Sequence, residues 1–207
     1  MSHAYQALLL IGPPGSGKST QGKILAALPG LHYWSAGEVL RAVDPQSDQG
    51  RMIQRTLARG ELIPDELAVS LCVADLEARV LAGTYRPATD LLVLDGIPRT
   101  VRQAALLDEH VVVIKVFHLV CTDSEQLVQR LRRRMAEQGR ADDADEHVIR
   151  LRLEIYQGET APVLDYYGAE CIANIDALRA PAEVFHHILH RVIPLLKRRR
   201  AVPPDRR

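Results

Sequence analysis

Residues 7 to 21 read Ala-Leu-Leu-Leu-Ile-Gly-Pro-Pro-Gly-Ser-Gly-Lys-Ser-Thr-Gln, and their punctuation decides the fold. An apolar run of strand length ends at Gly12. Gly12, Gly17, Lys18 and Ser19 then meet the GxxxxGKS spacing, with helix-forming sequence from Gln21 to Leu28 beyond. Strand, glycine-rich loop and helix start, in that order, build a phosphate cradle. Successive backbone N–H groups must point at phosphate oxygens, through dihedrals and close approaches that a Cβ would obstruct. The helix N-terminus adds partial positive charge at the same place. Lys18 is then placed to reach the terminal phosphates, and the Ser19 hydroxyl to ligate magnesium.

Working outward, 207 residues suffice to bury one sizeable core. Lys plus Arg and Asp plus Glu number 26 each, so no global charge recruits nucleic acid or an anionic membrane, and partners are chosen by local sites. The longest apolar runs, 7–11 and 111–119, are strand-length, and Lys115 interrupts the second. Neither approaches the roughly 18 residues of a membrane span. No secretory signal pattern is visible, so the expectation is a cytoplasmic protein. Cys72, Cys121 and Cys171 are too widely spaced for a zinc ligand set and read as reduced core residues. His186 and His190 stand at i,i+4 without a carboxylate set or HExxH, which favours a solvated helix face over a metal site. The basic residues 197–200, with Arg206 and Arg207, read as a frayed, solvated end.

Strand-like runs recur at 7–11, 91–94, 111–120 and 171–175, and helical patterns fill 48–59, 65–81, 100–107, 124–137, 145–167 and 182–196. This alternation implies an α/β fold, a parallel sheet covered on both faces. In the fourth helix Leu127, Leu131 and Met135 form one stripe that Val128 widens, and the fifth places Val148, Leu151 and Ile155 on another. No Ser/Gly linker marks a second domain.

Three constellations carry chemistry. Ser35-Ala36-Gly37-Glu38-Val39-Leu40-Arg41 is a turn leading into a helix that bears a second candidate phosphate-binding cation, Arg41. Leu91-Leu92-Val93-Leu94-Asp95-Gly96-Ile97-Pro98-Arg99 puts a carboxylate at the C-terminal end of a buried strand. An open sheet turns such groups toward its ligand there, and beside a phosphate loop Asp95 suits the hydration shell of Mg²⁺. Gly96 and Pro98 turn the chain away and deliver Arg99 to the same crevice. Finally, Arg130, Arg132, Arg133, Arg134 and Arg140 crowd one stretch, with Arg152 after it. Arg130 and Arg134 repel at i,i+4 unless an anion lies between them, and a polyphosphate is the natural one. Phosphoryl transfer needs positioning and charge stabilisation more than proton chemistry, which suits guanidinium forks.

Through these motifs, together with Gly60-Glu61-Leu62-Ile63-Pro64-Asp65-Glu66, Gly139-Arg140-Ala141-Asp142-Asp143 and Ile175-Asp176-Ala177, the chain resembles the nucleoside monophosphate kinases of the adenylate kinase and UMP/CMP kinase superfamily. The resemblance implies a P-loop NTPase fold, with a five-stranded parallel sheet flanked by helices. It implies one nucleoside monophosphate kinase domain over 1–207, with an NMP-binding helical insert at about 36–66 and a short lid at about 133–142. It also implies ATP binding by Gly12, Pro13, Pro14, Gly15, Ser16, Gly17, Lys18, Ser19 and Thr20, with Arg130 stacked on the adenine and Arg134 at the phosphates. Acceptor binding falls to Ala36, Arg41, Ile63, Gly96, Arg99 and Gln103. Lys18, Arg99, Arg134, Arg140 and Arg152 surround the transferred group, and Mg²⁺ is held by Ser19 and Asp95, largely through water. A monomer acting on ATP and AMP is the expectation.

The departures are specific. Ser19-Thr20 stands where the family has Gly-Thr, Ile97 replaces a Phe, and one residue is inserted between Asp143 and Arg152. Five residues between Arg134 and Arg140 leave no room for the zinc-bearing hairpin of long-lid relatives, so no zinc is expected. Ala36 follows the UMP/CMP kinase pattern, and Gln103 the adenylate kinase one. The expected activity is therefore adenylate kinase, with UMP/CMP kinase as the alternative. An idle nucleotide-binding module is disfavoured by the arginine set, and a small-metabolite kinase by the pairing of Arg41 with Gln103.

Overall fold

In the computed structural model, which describes residues 5–139 and 143–201, five parallel strands run in the order β2-β3-β1-β4-β5. They are β1 (Tyr5–Ile11), β2 (Leu31–Ser35), β3 (Leu91–Asp95), β4 (Val111–Val120) and β5 (Ile172–Asp176). Four coincide with the apolar runs read from the sequence. The fifth, β2, is an edge strand of composition Leu-His-Tyr-Trp-Ser whose pattern is neither continuous nor alternating, so periodicity alone misses it.

Both sheet faces are buried, and β1 divides between them with the period of two that strand geometry imposes. Leu9 and Ile11 join Trp34, Leu94, Cys72 and Leu76, under α4 (Asp65–Leu81) and α5 (Val101–Leu107). Leu8 and Leu10 join Leu25, Phe117, Ile188 and Val192, under α1 (Lys18–Ala26) and α9 (Pro181–Ala201). The shorter α2 (Ala36–Ala42) and α3 (Asp48–Ala58) link β2 to α4. A third cluster forms where α6 (Ser124–Gln138) meets α7 (Glu146–Ile155): Leu127, Val128 and Leu131 pack against Ile149 and Leu153. The α7 residues buried there are not the expected stripe, since Val148, Leu151 and Ile155 are only half-buried.

The single helix expected over 145–167 is broken. A π-helical turn, Tyr156–Thr160, and then Pro162 separate α7 from α8 (Val163–Tyr167). The wide turn brings the Thr160 hydroxyl to the Arg99 carbonyl at 2.9 Å, a side-chain contact that apolar spacing does not encode. At the other end, α9 extends past the expected stop to Ala201. Arg199 donates to Gln6 Oε1 at 2.6 Å and to the Pro87 carbonyl, so 197–200 is not a frayed end. Residues 206 and 207 lie outside the described residues. Cys121 and Cys171 are half-buried, and only Cys72 is a core residue; all three are free thiols. His186 and His190 are both exposed on α9.

α6 also packs onto the glycine-rich loop: a Cβ on Gly15 would lie 3.0 Å from the Leu127 carbonyl and 3.2 Å from Leu131 Cγ. Leu131→Ala should therefore lower unfolding free energy by about 2–5 kcal/mol, read as a shifted urea midpoint with unchanged slope.

Candidate active site

The order β2-β3-β1-β4-β5 reverses direction at β1, so the loop after it opens at the switch point, where an open sheet binds ligand beyond its carboxyl ends. A Cβ on Gly12 would lie 2.7 Å from the Leu119 carbonyl, and Gly17 takes φ +94° as the N-cap of α1. Lys18 is half-buried with its ammonium inside the loop, donating to the Gly12 and Pro13 carbonyls at 2.7 and 3.0 Å. This burial lowers its pKa to about 8. Asp95 opposes the shift, and the positive charges of Arg99, Arg134 and Arg152 add to it. Four predicted cations thus share one electrostatic neighbourhood. Ser16 Oγ is buried in the loop without a hydrogen-bond partner among the described residues, an orphan that a phosphate oxygen would satisfy. Ser19 and Thr20 are exposed at the start of α1.

Parallel register sets Asp95 beside Leu10 on one side and Ser35 on the other, between the loop and α2. Asp95 is buried, and its Oδ2 accepts from Ser19 Oγ at 2.6 Å and from the Tyr33 hydroxyl at 2.8 Å. Gly96, at φ +82°, reverses the chain. Arg99 is then held by several bonds: its Nε donates to the Gly96 carbonyl at 3.0 Å, its N–H to Gln103 Oε1 at 2.7 Å, and its carbonyl accepts from Thr160.

Arg134 and Arg152 converge on one carboxylate. Arg134 reaches Asp143 through Nε at 2.6 Å and Nη2 at 2.9 Å, Arg152 through Nη1 at 2.6 Å, and the Asp143 side chain has 0% exposure. The residue inserted before Arg152 is thus absorbed without separating it from Arg134. Arg130 behaves differently, donating to the Ala177 carbonyl at 2.8 Å beyond β5. Arg134 thus has a countercharge within the protein itself, Asp143. Arg132 and Arg133 are exposed, Arg132 pairing with Glu146. Arg140 lies outside the described residues.

Ala36, Arg41, Ile63, Gly96, Arg99 and Gln103 line a single second cleft, and Arg152 lines it too. Gly60, at φ +75°, brings the end of α3 against α7: a Cβ there would lie 2.9 Å from Arg152 Cγ. Gln103 is almost wholly buried, and its amide already works within the protein, accepting from the Arg99 N–H and donating to Asp65 Oδ1 at 3.0 Å. Thr100 shares Asp65 Oδ1 at 3.0 Å and caps α5. One lone pair and one N–H of the Gln103 amide remain after these bonds.

Four contributors escaped the sequence reading of the site. Asp65 and Asp143 lie inside quoted motifs, and an acid beside a cluster of arginines was a usable signal. Tyr33 and Thr160 carried none, because their partners are distant in the chain.

The adenylate kinase family model matches residues 10–172. The chain belongs to the adenylate kinase family. Among its relatives, an adenylate kinase of Thermus thermophilus is 36% identical over 189 residues, covering 88% of this chain and 95% of that protein. That of Clavibacter michiganensis subsp. michiganensis is 37% identical over 188 residues, 87% and 90% of the two chains. That of Synechococcus sp. (strain WH7803) is 41% identical over 178 residues, 83% and 90%. As a member of this family the protein is a phosphotransferase, on a P-loop NTPase fold. No helix among the described residues is long and apolar enough to cross a membrane.

Asp143→Asn should leave two guanidinium groups without their shared countercharge. We expect a lower melting temperature and a kcat reduced by about 10-fold or more, with KM for either nucleotide moving less, measured by coupled assay and differential scanning calorimetry.

Proposed function

We propose that the chain transfers the γ-phosphoryl group of ATP reversibly to AMP, with Mg²⁺, giving two ADP. The observation that carries this reading is the meeting of Lys18, Arg99, Arg134 and Arg152 between a phosphate loop and a second cleft lined by Arg41 and Gln103. Residues 12–20 hold the ATP phosphates, and Lys18 exchanges its two loop carbonyls for phosphate oxygens. Arg41 and Arg99 grip the AMP phosphate. Arg134 and Arg152, braced by Asp143, stabilise charge on the equatorial oxygens during transfer, and Arg140 joins them from the lid at about 133–142. Arg130, oriented by the Ala177 carbonyl, stacks on the ATP adenine. Ser19 Oγ and Asp95 are an all-oxygen donor pair beside that loop, which fits a hard divalent cation. When bound, Mg²⁺ neutralises charge on the β and γ phosphates. Closure of the insert at about 36–66 and of the lid excludes water, which strengthens every charge interaction and suppresses hydrolysis. The protein acts as a cytoplasmic monomer without recruiting nucleic acid.

Acceptor choice turns on Gln103. Its remaining lone pair and N–H match an adenine edge, whereas Ala36 lacks a hydroxyl there and loosens the pocket. A polar group left unpaired in a closed site costs about 1–3 kcal/mol. Side-by-side assays should rank AMP above CMP, UMP and GMP. Because Gln103 also supports the Arg99 N–H, Gln103→Ala should slow all acceptors, and the informative quantity is the AMP to CMP ratio of kcat/KM, which should fall. A CMP or UMP preference in the unmodified protein would establish the pyrimidine alternative.

Lys18 generates a pH prediction. Its folded pKa of about 8 lies below the ordinary 10.5, so between those values the unfolded chain binds more protons and this group's contribution to stability rises with pH. Phosphates favour the charged ammonium, so MgATP affinity should weaken as pH rises through 8. At pH 8 binding should take up about half a proton per site, measured calorimetrically in buffers of different ionisation enthalpy. Zero uptake would place the ammonium away from the phosphates.

A further inference from the structure

Tyr33 is a polar partner of Asp95 to which the reaction scheme gives no task. It sits in edge strand β2, is half-buried, and donates its hydroxyl to Asp95 Oδ2 at 2.8 Å, the same oxygen that takes the Ser19 hydroxyl at 2.6 Å. The ring has a dedicated socket. A Cβ on Gly22 would lie 2.2 Å from Tyr33 Cε2 and 2.5 Å from Cδ2, so a glycine on the buried face of α1 makes the contact possible. A helix-interior glycine costs about 1 kcal/mol relative to alanine; here it admits the phenol.

We propose that Tyr33 is a positioning residue for the divalent cation that accompanies ATP, holding the Asp95 carboxylate in one orientation beside Ser19. This rests on the Mg-dependent reading above. A Ser19 oxygen that ligates a cation still has its O–H to give to Asp95. Alone, that hydrogen bond leaves the carboxylate free to turn about its Cβ–Cγ bond, because the restraint comes from an exposed serine on the first turn of α1. The Tyr33 hydroxyl adds a charge-assisted bond from a different strand, so α1, β2 and β3 are tied at one oxygen. Groups that orient the ligands of a metal, without touching it, set its affinity by about 10- to 100-fold in typical sites.

The test uses the full chain with a non-hydrolysable ATP analogue, and reads Mn²⁺ binding by electron paramagnetic resonance without turnover. Tyr33→Phe keeps the ring in its socket and removes only the hydroxyl. We expect its Mn²⁺ dissociation constant in the nucleotide complex to rise about 10-fold, while affinity for the analogue in excess chelator stays unchanged. Gly22→Ala, which displaces the ring and keeps the hydroxyl, should weaken Mn²⁺ equally. Wild-type Mn²⁺ affinity in Tyr33→Phe would overturn the proposal, as would an equal loss of metal-free nucleotide affinity, which would mean a general collapse of the loop. An unmodified protein that fails to phosphorylate AMP would overturn the acceptor assignment and leave this measurement standing.

Discussion

Arg134 and Arg152 place three hydrogen bonds on the Asp143 carboxylate, whose side chain is closed to solvent. Burial lowers the Lys18 pKa first, and the positive charges of Arg134 and Arg152, with that of Arg99, lower it further. Such a concentration of like charge is costly unless countercharge travels with it, and among the described residues Asp95 supplies it for Lys18, and Asp143 for Arg134 and Arg152. The carboxylate makes the site possible at rest and also aims it, since a bidentate partner fixes the plane of a guanidinium as well as its position. In the proposed reaction the phosphates would enter a field already built, with no large reorganisation of these cations at the moment of transfer.

The sheet supplies the rest of the geometry. Because β1 lies between β3 and β4, its loop, the Asp95 carboxylate at the end of β3 and the α6 surface beyond β4 all open on one edge. The core binds these pieces together: Leu8 and Leu10 face one layer, Leu9 and Ile11 the other, so no shift of β1 by one residue is tolerated. The register Leu10 to Asp95 is thereby locked, and with it the distance from Ser19 to the carboxylate. At the second cleft, Gln103 and Asp65 tie α5 to α4 and steady Arg99, so a residue read from sequence as a base contact also has a structural task.

Contacts between elements explain where sequence reasoning fell short. The glycine-rich loop, Asp95 and Arg99 were legible because their chemistry depends on spacing within a few residues. The extent of α7 was not, since helical periodicity continues through 156–160 and only the Thr160 bond to the Arg99 carbonyl rewards the wider turn. β2 was invisible for a similar reason: an edge strand half-open to solvent needs no continuous apolar run. The C-terminal arginines read as a solvated end, yet Arg199 finds the Pro87 carbonyl, 112 positions away in the chain.

By itself the sequence determined the phosphate loop, the alternation of strands and helices that makes a parallel sheet, and a family in which phosphotransfer is the chemistry. Local steric rules decide those matters: glycine where a Cβ cannot fit, apolar runs where both faces are covered, charge where an anion must be held. Only the tertiary structure decided that Asp143 braces two arginines, that Gln103 is shared between a cleft and Asp65, and that Tyr33 reaches Asp95 through the gap at Gly22. Each of these joins side chains from separate elements, and their meeting depends on strand order and register, which pack the chain but leave no periodic trace in it.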